Sequence, residues 1–565
     1  MAIIGIDLGT TNSLCAYWKD GEAKLIPNSL GENLTPSIVG LDENGDILVG
    51  KAAKERLRTA PKKTTAYFKR HMGTDKVVKL GNRDFRAEEL SALVLQSLKA
   101  DAEEFLGETI TEAVISVPAY FNDIQRKATR AAGKLAGLKV ERLINEPTAA
   151  AIAYGLHKTD VDETFLIFDL GGGTFDVSVL ELFDGVMQIH ASAGDNFLGG
   201  EDFSEVLAKL FLDQHQANIH ELTPGEKNAL HIAADQCKQL LSTKKSTDMI
   251  FVKNGKELRS TITREQFEKA STPLLQRIRT PIERALKDSD FNPDDLTAIV
   301  LVGGSSKMPV IKSLCSKMFG QLPHAHINPD EAIALGTAVQ VGLMQQDSSL
   351  NEIVLTDVSP YSLGTGIVNK NASDPDDLLF HPIIERNSPI PLSKVDRLCT
   401  SADNQTELKI KVFQGESRLV KNNIKLGEIS TPVPKDKEGR QSVDVRFTYD
   451  INGLLEINLQ VVSTGLEKRL IIEGNPGMLT PEEIDRRLIE LSSLKVHPRE
   501  QMKNTLLIAR GERLFVESLG DTRLYIQNIM SQFESVLNSQ DMQAIKKAHD
   551  EVSKTLDSLE PEKIF

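Results

Sequence analysis

The sequence predicts a multidomain protein whose structural class changes twice, from α/β to antiparallel β and then to α-helix. Up to residue 346, short apolar runs that end at Pro or Gly alternate with helical stretches, which is the α/β pattern. From about 357 to 475, apolar residues alternate with polar ones, as in strands with one buried face. From Thr480 onward, apolar residues recur with the 3.6-residue period of helices.

The composition excludes several classes of protein. The chain has 565 residues, enough for three or four domains, and its net charge of −14 argues against nucleic acid or an anionic membrane as a partner. No apolar run approaches the roughly 20 residues needed to span a bilayer. The four cysteines form no CxxC pair and the N-terminus has no basic, apolar targeting pattern. We therefore expect free thiols and a cytoplasmic location.

Particular segments carry the α/β prediction. Residues 113–117 and 298–302 read as buried strands, and the run from Ala332 to Val339 reads as a helix that closes this part of the chain. The polar segment 345–352 then reads as a linker.

The antiparallel prediction depends on strict alternation. Leu408, Ile410 and Val412 alternate with polar residues, and segments 443–449 and 455–461 do the same on either side of Asn452-Gly453. Asn-Gly favours a tight hairpin because both residues tolerate positive φ.

The tail is predicted to be a helical bundle. Thr480-Pro-Glu-Glu483 is a capping box with proline at the first helical position. Residues 484–491, 525–537 and 544–556 each place apolar side chains on one helical face.

An internal repeat is the sharpest chemical signal. The segment Ile3–Thr11, with Asp7 and Gly9, is echoed by Leu166–Thr174, in which Asp169 stands 162 residues after Asp7. Each copy is an apolar strand, an Asp, a turn of Gly and Thr, and a second strand. Small residues let backbone N–H groups approach a polyphosphate, and the Asp can hold a hydrated cation that neutralises it. Two facing hairpins would hold one nucleotide from both sides.

The alternative to a phosphate site is a pair of ordinary hairpin turns that happen to share Asp-Leu-Gly. The presence of a second copy in the same strand context disfavours this alternative. Neither turn is a Walker A loop or a GxGxxG motif, so P-loop and Rossmann folds are disfavoured. Two further glycine turns, Val302–Lys307 and Asp195–Glu201, are weak signals when taken alone.

These features resemble the superfamily of actin, sugar kinases and DnaK-type chaperones. Five motifs resemble the DnaK-type 70-kilodalton heat-shock chaperones in particular, namely Asp7–Asn12, Val117–Asn122, Ile144–Ala150, Asp169–Asp176 and Leu198–Phe203. The likeness continues through the linker to Val412–Glu416 and becomes weaker in the tail. The short segments between Lys69 and Pro118 and from Thr243 to Thr263, with the short tail, are most similar to the bacterial HscC branch.

The resemblance implies an actin-like ATPase domain at 1–346, a linker at 347–357, an antiparallel β-sandwich that binds peptides at 358–475, and an α-helical lid at 476–565. The implied function is an ATP-dependent molecular chaperone that binds extended apolar segments of client proteins. ATP hydrolysis would control peptide affinity through the linker. The implied cofactors are ATP or ADP and Mg²⁺, and K⁺ is a further candidate. The implied partners are unfolded clients and a J-domain co-chaperone, whereas the need for an exchange factor stays open.

Residue roles also follow from the resemblance. Asp7 and Asp169 would hold Mg²⁺ through its water shell. Lys69 would contact the γ-phosphate and help to orient the attacking water, and Glu146 would stabilise the network of metal and water. Thr174 would lie near the γ-phosphate, with Asp176 nearby. For Lys69, spacing alone favours a solvated lysine. The remaining residues implied in ATP binding are Gly9, Thr10, Thr11, Asn12, Gly171, Gly172, Gly173, Gly199, Gly200, Glu201, Asp235, Lys238, Ser242, Gly303, Gly304, Lys307 and Asp330.

The adenine site departs from the family pattern, because Gln239 and Lys307 stand where relatives often stack arginines. Lysine lacks the planar guanidinium, so we expect nucleotide to be held more loosely.

Outside the nucleotide site, the resemblance assigns Arg130, Arg142, Asn145 and Asp357 to communication between domains and to J-domain contact. It assigns Val368, Leu398, Leu408, Ile410 and Val443 to the peptide cleft, although alternation alone would read them as plain core residues. Three features depart from the family pattern, namely the long cleft loop from Asn369 to Phe380, Thr356 in the linker, and Glu438 at the lid.

Two rival functions use the same nucleotide fold. A sugar or small-molecule kinase would need no peptide-binding β domain, and the alternating region at 404–461 counts against it. An actin-like filament protein would sediment with ATP, and the long C-terminal extension argues against that function.

Overall fold

A computed structural model describes residues 2–154, 163–183, 186–324, 327–347, 350, 354–369, 378–450, 453–472 and 502–559. The chain divides into two compact units. The first contains residues 1–363 with the short segments 385–390 and 414–424, and the second contains residues 364–384, 391–413 and 425–565.

Strands and helices alternate through residue 344, as the α/β pattern predicts. The strands are β1 (Ala2–Asp7), β2 (Asn12–Lys19), β3 (Glu22–Ile26), β4 (Thr35–Pro36), β5 (Ile38–Leu41), β6 (Ile47–Val49), β7 (Thr64–Ala66), β8 (Val78–Leu80), β9 (Arg83–Phe85), β10 (Ile110–Val117), β11 (Lys139–Asn145), β12 (Glu163–Leu170), β13 (Phe175–Phe183), β14 (Val186–Asp195), β15 (Ser246–Lys253), β16 (Lys256–Thr263) and β17 (Ala298–Val302). The helices are α1 (Lys51–Thr59), α2 (Ala87–Leu106), α3 (Asp123–Leu135), α4 (Glu146–Ala153), α5 (Gly200–Gln214), α6 (Pro224–Thr243), α7 (Arg264–Ala270), α8 (Thr272–Ser289), α9 (Pro309–Phe319) and α10 (Ala332–Met344).

Two sheets are each built around one copy of the sequence repeat. The first has the order β11-β10-β1-β2-β3, with β4 on β2. The second has the order β17-β12-β13-β14 and continues with two strands from later in the chain, β18 (Val354–Val358) and β21 (Pro389–Ile390). In each sheet the first strand of the repeat runs antiparallel to the second and parallel to its other neighbour. The repeat is therefore confirmed as two equivalent hairpins.

Helices α4 and α10 pack closely, and α10 also lies against β1. The contact depends on small residues: a Cβ at Gly336 would overlap the carbonyl of Ala149, and one at Gly5 would overlap Thr337. Glycine allows this approach because it has no side chain. The close packing fixes the first hairpin against the helix that precedes the linker.

The linker forms a strand of the second sheet. Residues Val354–Val358 (β18) pair in parallel with β14, and Asp357 and Val358 pair with Ile390 and Pro389 of β21 (Pro389–Ile390). Of the polar segment before it, residues 348, 349 and 351–353 lie outside the described part of the chain. The last residues of the predicted linker, from Val354 onward, therefore form an extended strand.

The second unit contains antiparallel strands and helices. Its strands are β19 (Leu363–Ile367), β20 (Leu379–Ile384), β22 (Leu392–Cys399), β23 (Glu407–Gln414), β24 (Ile424–Pro432), β25 (Ser442–Tyr449), β26 (Leu455–Val461) and β27 (Glu467–Ile472). The end residues Leu363, Gln414 and Ile424 belong to the first unit. They form two four-stranded sheets, β20-β19-β23-β24 and β22-β25-β26-β27, and every pairing in the latter is antiparallel.

The predicted hairpin between 443–449 and 455–461 is present as β25 and β26. Gly453 lies at φ +84°, and the N–H of Leu454 donates to Oδ1 of Asp450 at 2.7 Å. Asn452 and residues 370–377 of the long cleft loop lie outside the described residues.

The described tail is a bundle of α11 (Met502–Glu517), α12 (Gly520–Ser539) and α13 (Met542–Leu559). Its core includes Leu514, Ile526, Phe533, Leu537 and Ile545. The two later helical predictions are confirmed, whereas the capping box at Thr480–Glu483 and the helix at 484–491 lie outside the described residues.

The four cysteines are free thiols, and only Cys399 is exposed. Among the described helices, none combines the length and the apolar character that a membrane span requires.

Candidate functional site

A cleft of about 760 Å³ lies between the two hairpins. Both turns, the strand ends that precede them and several helix termini line it. The predicted residues that line the cleft are Asp7, Gly9, Thr10, Thr11, Asn12, Lys69, Glu146, Asp169, Gly171, Gly172, Thr174, Glu201, Asp235, Lys238, Ser242, Gly303, Gly304, Lys307 and Asp330.

The two phosphate-type turns face each other. In the first turn the N–H of Gly9 donates to Oγ of Ser13 at 3.2 Å, and in the second the N–H of Gly171 donates to the carbonyl of Thr174 at 3.1 Å. A Cβ at Gly172 would overlap Thr11, so the turns approach as closely as glycine permits. Backbone amides and hydroxyls from both hairpins therefore converge on one space.

Three acidic side chains, those of Asp7, Glu146 and Asp169, are buried along this cleft, and a fourth, that of Asp176, is buried behind its wall. Burial raises the pKa of Asp7 to about 7, and the charge of Glu146 adds to the effect. Burial, followed by the charges of Glu146 and Asp176, raises the pKa of Asp169 well above its usual range, and burial raises the pKa of Asp176 to about 7. Anions crowded in this way are stabilised by a bound cation.

A magnesium ion fits these residues. Oδ2 of Asp169 is buried and has no hydrogen-bond partner within the described part of the chain, whereas Oδ1 of Asp7 accepts a hydrogen bond from Ser116 Oγ at 2.9 Å. Carboxylate oxygens at the ends of β1 and β12 suit a hard, hydrated cation. Among the described residues, no three His, Cys, Asp or Glu side chains form a direct metal-binding group. The sequence prediction is of a different kind, because it has Asp7 and Asp169 bind the magnesium ion through its water shell.

Lys69 is buried, so the solvated-lysine alternative is wrong. Its side chain is 3% exposed and Nζ donates to Oε1 of Glu146 at 2.9 Å. A 3₁₀ helix, Phe68–His71, carries it, and its ammonium lies 5.6 Å from the centre of the Phe121 ring. A buried ion pair of this kind needs its partner, because either charge alone would be strongly destabilising.

The helix α6 supplies one face of the outer cleft. Asp235, Lys238 and Ser242 share one side of it, as their spacing predicts. Lys238 Nζ donates to the carbonyl of Gly200 and to Ser204 Oγ, each at 2.8 Å, and lies 2.8 Å from Asp235 Oδ1.

Gln239 and Lys307, the two adenine-site residues that depart from the family pattern, each contact an acidic side chain. Gln239 Nε2 donates to Asp235 Oδ2 at 2.8 Å, and Lys307 forms an ion pair with Asp330.

Four predicted residues stand behind the cleft wall. Gly173 packs against Thr10, Gly199 packs against Gly172 and Gly173, and Gly200 starts α5 beside Ser305. Asp176 accepts a hydrogen bond from the N–H of Tyr120 at 3.0 Å.

The family model described as Hsp70 protein matches residues 3–564. The chain belongs to the Hsp70 family. It is 37% identical to the chaperone protein DnaK of Thermosipho africanus (strain TCF52B) over 580 residues, which covers 98% of this chain and 95% of that protein. The chain is accordingly an ATP-dependent chaperone that binds client peptides, and an ATPase. Hsp70 proteins bind ATP and ADP, generally with Mg²⁺.

Several cleft residues of this Hsp70 were not found from sequence. Arg70 links the turn of the second hairpin to α5, because Nε donates to the carbonyl of Gly173 at 3.0 Å and the guanidinium pairs with Asp202 at 2.5 Å. In the sequence, only its position next to Lys69 pointed to Arg70.

Tyr67 was also missed. It lines the cleft at φ +60° and its ring stacks edge-on against His231, which lies 2.6 Å from Glu201. No local pattern marks Tyr67, because its partners come from α5 and α6.

Three of the four predicted communication residues of this Hsp70, namely Arg142, Asn145 and Asp357, interact at the strand β18. Asn145 Nδ2 donates to Asp357 Oδ2 at 2.6 Å, and Arg126 donates to Asn145 Oδ1 at 2.6 Å. Burial raises the pKa of Asp357, while the charges of Arg126 and Arg142 lower it. The direct side-chain hydrogen bond to the Asp357 carboxylate therefore comes from Asn145.

The predicted peptide-cleft residues differ in exposure. Leu408, Ile410 and Val443 are buried, Leu398 is half-buried opposite Val443 on the neighbouring strand, and Val368 is 50% exposed. Burial of this kind is compatible with a core as well as with the lining of a cleft.

Proposed function

We propose that the cleft between the hairpins is the ATPase site of this chaperone and that Lys69 and Glu146 are its central pair. The observation that carries the proposal is the buried ion pair at 2.9 Å, beside the carboxylates of Asp7 and Asp169. Lys69 supplies positive charge next to the γ-phosphate, and Glu146 orients Lys69 and the attacking water. Thr174 lies beside that phosphate, and Asp176 supports the turn from behind. In-line hydrolysis of this kind depends on positioning and charge neutralisation.

In this proposal Asp7 and Asp169 hold Mg²⁺ through its water shell. The ion, when bound, neutralises charge on the phosphates. The unpartnered Asp169 Oδ2 and the raised pKa values of both carboxyls support this role. K⁺ is proposed as a further ion of the same acidic region.

The adenosine is proposed to bind between α6 and the turn after β17. Asp235, Lys238 and Ser242 would contact it from one side, and Gly303, Gly304 and Asp330 from the other. Lys307 and Gln239 replace a stacked pair of guanidinium groups, and both are engaged with acids. We therefore propose fast spontaneous release of ADP.

For the rest of the chain we propose an actin-like ATPase domain at 1–346, a linker at 347–357, a β-sandwich at 358–475 and a lid at 476–565. ATP at the first domain controls peptide affinity in the sandwich through the linker. The strand β18, which joins the second sheet beside β14, supports this coupling. Further support comes from Arg386, which lies in segment 385–390. Its Nε donates to Asp288 Oδ2 at 2.7 Å and its Nη2 donates to Asp288 Oδ1 at 2.9 Å.

Finer assignments belong to the same proposal. Val368, Leu398, Leu408, Ile410 and Val443 line the peptide cleft. A J-domain partner contacts the group formed by Arg130, Arg142, Asn145 and Asp357. We also propose that the protein is cytoplasmic and that it belongs to the HscC branch, which its short segments resemble.

The decisive experiment measures ATP turnover with an extended apolar peptide and, separately, with a panel of sugars. We expect stimulation by peptide and none by sugars, and we expect Lys69→Ala to abolish turnover under both conditions. Stimulation by a sugar, with formation of a phosphorylated product, would replace the proposal with a kinase.

A further inference from the structure

The turn between α12 and α13 contacts the edge strand β22 through one side chain. Gln540 Nε2 donates to the carbonyl of Val395 at 3.0 Å, and Gln540 Oε1 accepts from the N–H of Val395 at 3.2 Å. The carboxamide therefore binds both main-chain groups of one residue, as a neighbouring strand would.

Val395 presents these groups because β22 is at the end of its sheet. The order is β22-β25-β26-β27, so one side of β22 has no neighbouring strand in that sheet. In an antiparallel pair, the N–H and C=O of one residue point to the same side. The next outward N–H, that of Arg397, is occupied by Asp396 Oδ1 at 2.7 Å. Asp396 is itself held by His381 of β20, with 2.6 Å between the side chains.

The backbone of Gln540 supports a specific role for its side chain. Gln540 follows the last residue of α12 with φ +57°, the left-handed region in which glycine is the favoured residue. The turn does not need a glutamine, because Asp541 caps α13 by accepting from the N–H of Ala544 at 3.2 Å. A long amide at an unfavourable backbone position is explained by its two hydrogen bonds to β22.

The strand that Gln540 holds is also the strand that carries Leu398. Leu398 lies three residues after Val395, and Val443 is its cross-strand neighbour. Both belong to the proposed peptide cleft. Beside the contact is a polar cavity of about 860 Å³ whose lining includes Arg397, Asp444 and Gln540. Water therefore reaches the contact, which makes it easy to break and to form again.

We propose that Gln540 is a latch that holds the helical tail to β22 and slows the release of bound client peptide. The latch itself stands on the contact with Val395, while its effect on peptide release rests on the proposed cleft. Gln540 acts as a positioning residue, since it reaches the cleft only through the backbone of β22.

Gln540→Gly provides the sharpest test. Glycine suits φ +57° better than glutamine, so the helical hairpin should fold at least as well while the latch is lost. Gln540→Asn keeps the amide on a shorter side chain. Gln527→Ala, at an exposed position of α12, serves as the matched control. Two quantities are measured in the full chain with ADP: hydrogen exchange at the N–H of Val395, and the off-rate of a fluorescent apolar peptide.

We expect both Gln540 variants to exchange the Val395 N–H faster and to release peptide about twofold to tenfold faster, the range for loss of one or two hydrogen bonds. The thermal unfolding midpoint of Gln540→Gly should not fall, and Gln527→Ala should match the parent. Unchanged exchange at Val395 would overturn the latch. Faster exchange with an unchanged off-rate would show that Gln540 only covers the strand edge. A parent that binds no peptide would reject the proposed cleft, while the exchange measurement would still decide the latch.

Discussion

Two ion pairs, one from each unit, differ in how deeply both partners are buried. In the nucleotide cleft the side chains of Lys69 and Glu146 are 3% and 7% exposed, whereas the pair of Arg397 and Asp444 on the β sheet is 59% and 26% exposed. An exposed pair contributes little free energy, but a buried pair is strongly destabilised when one partner is removed. The pair in which both partners are buried, that of the first unit, is therefore the stronger indication of chemical function.

Loss of Lys69 should give the largest effect. Lys69→Ala removes the positive charge next to the proposed γ-phosphate position, so we expect single-turnover ATP hydrolysis to fall about 100-fold or more. ATP binding should persist, and so should peptide binding with ADP. Lys79→Ala, at an exposed position of β8, is the matched control. Near-normal hydrolysis by Lys69→Ala would remove Lys69 from the mechanism.

Asp357→Asn should separate the two activities without damaging either. The variant loses the charge that faces Arg126 and Arg142 and places an amide opposite Asn145. We expect the coupling free energy to fall by roughly 1–3 kcal/mol. Peptide off-rates with ATP and with ADP measure this, and Asp294→Asn, at an exposed acid, is the control. If ATP still accelerates release as much as in the parent, Asp357 has no role in coupling.

The adenine site should respond to a gain of stacking. In Gln239→Arg combined with Lys307→Arg, two planar guanidinium groups become available at the proposed base position. We expect ADP release to slow by about fivefold to tenfold, in line with a cation–π contribution of about 1 kcal/mol. Stopped-flow release of a fluorescent ADP analogue measures it. An unchanged rate would mean that these positions do not face the base.

Val368→Ser should have the smallest effect and directly tests the second unit. Val368 is 50% exposed, so its loss should leave the unfolding midpoint unchanged while weakening a client contact. We expect peptide affinity to fall about threefold, the effect of part of a valine surface. Val462→Ser, at a valine 46% exposed in the same unit, is the control. Equal affinities in the two variants would take Val368 out of the cleft.

Much of the fold could be predicted because it depends on local periodicity. The hairpins at Asp7 and Asp169, the β25–β26 hairpin and the last two helices all have the expected bounds to within a few residues. The residues of both phosphate-type turns could also be predicted, since the sequence repeat marks both turns. Arg70, Tyr67 and His231 could not be predicted in this way, because Arg70 contacts Gly173 and Tyr67 contacts His231, and both pairs are more than 100 positions apart along the chain.

The sequence by itself determined which segments alternate as strands, which repeat as helices, and that two Asp-Gly turns are equivalent. These properties reside in neighbouring residues and in backbone preferences. Only the tertiary structure decided that Lys69 is buried, that Asp357 accepts from Asn145, and that Gln540 binds Val395. Burial and pairing of polar groups depend on which segments, distant in sequence, come into contact. The free energy of ionising a side chain depends on these spatial surroundings rather than on its neighbours in sequence.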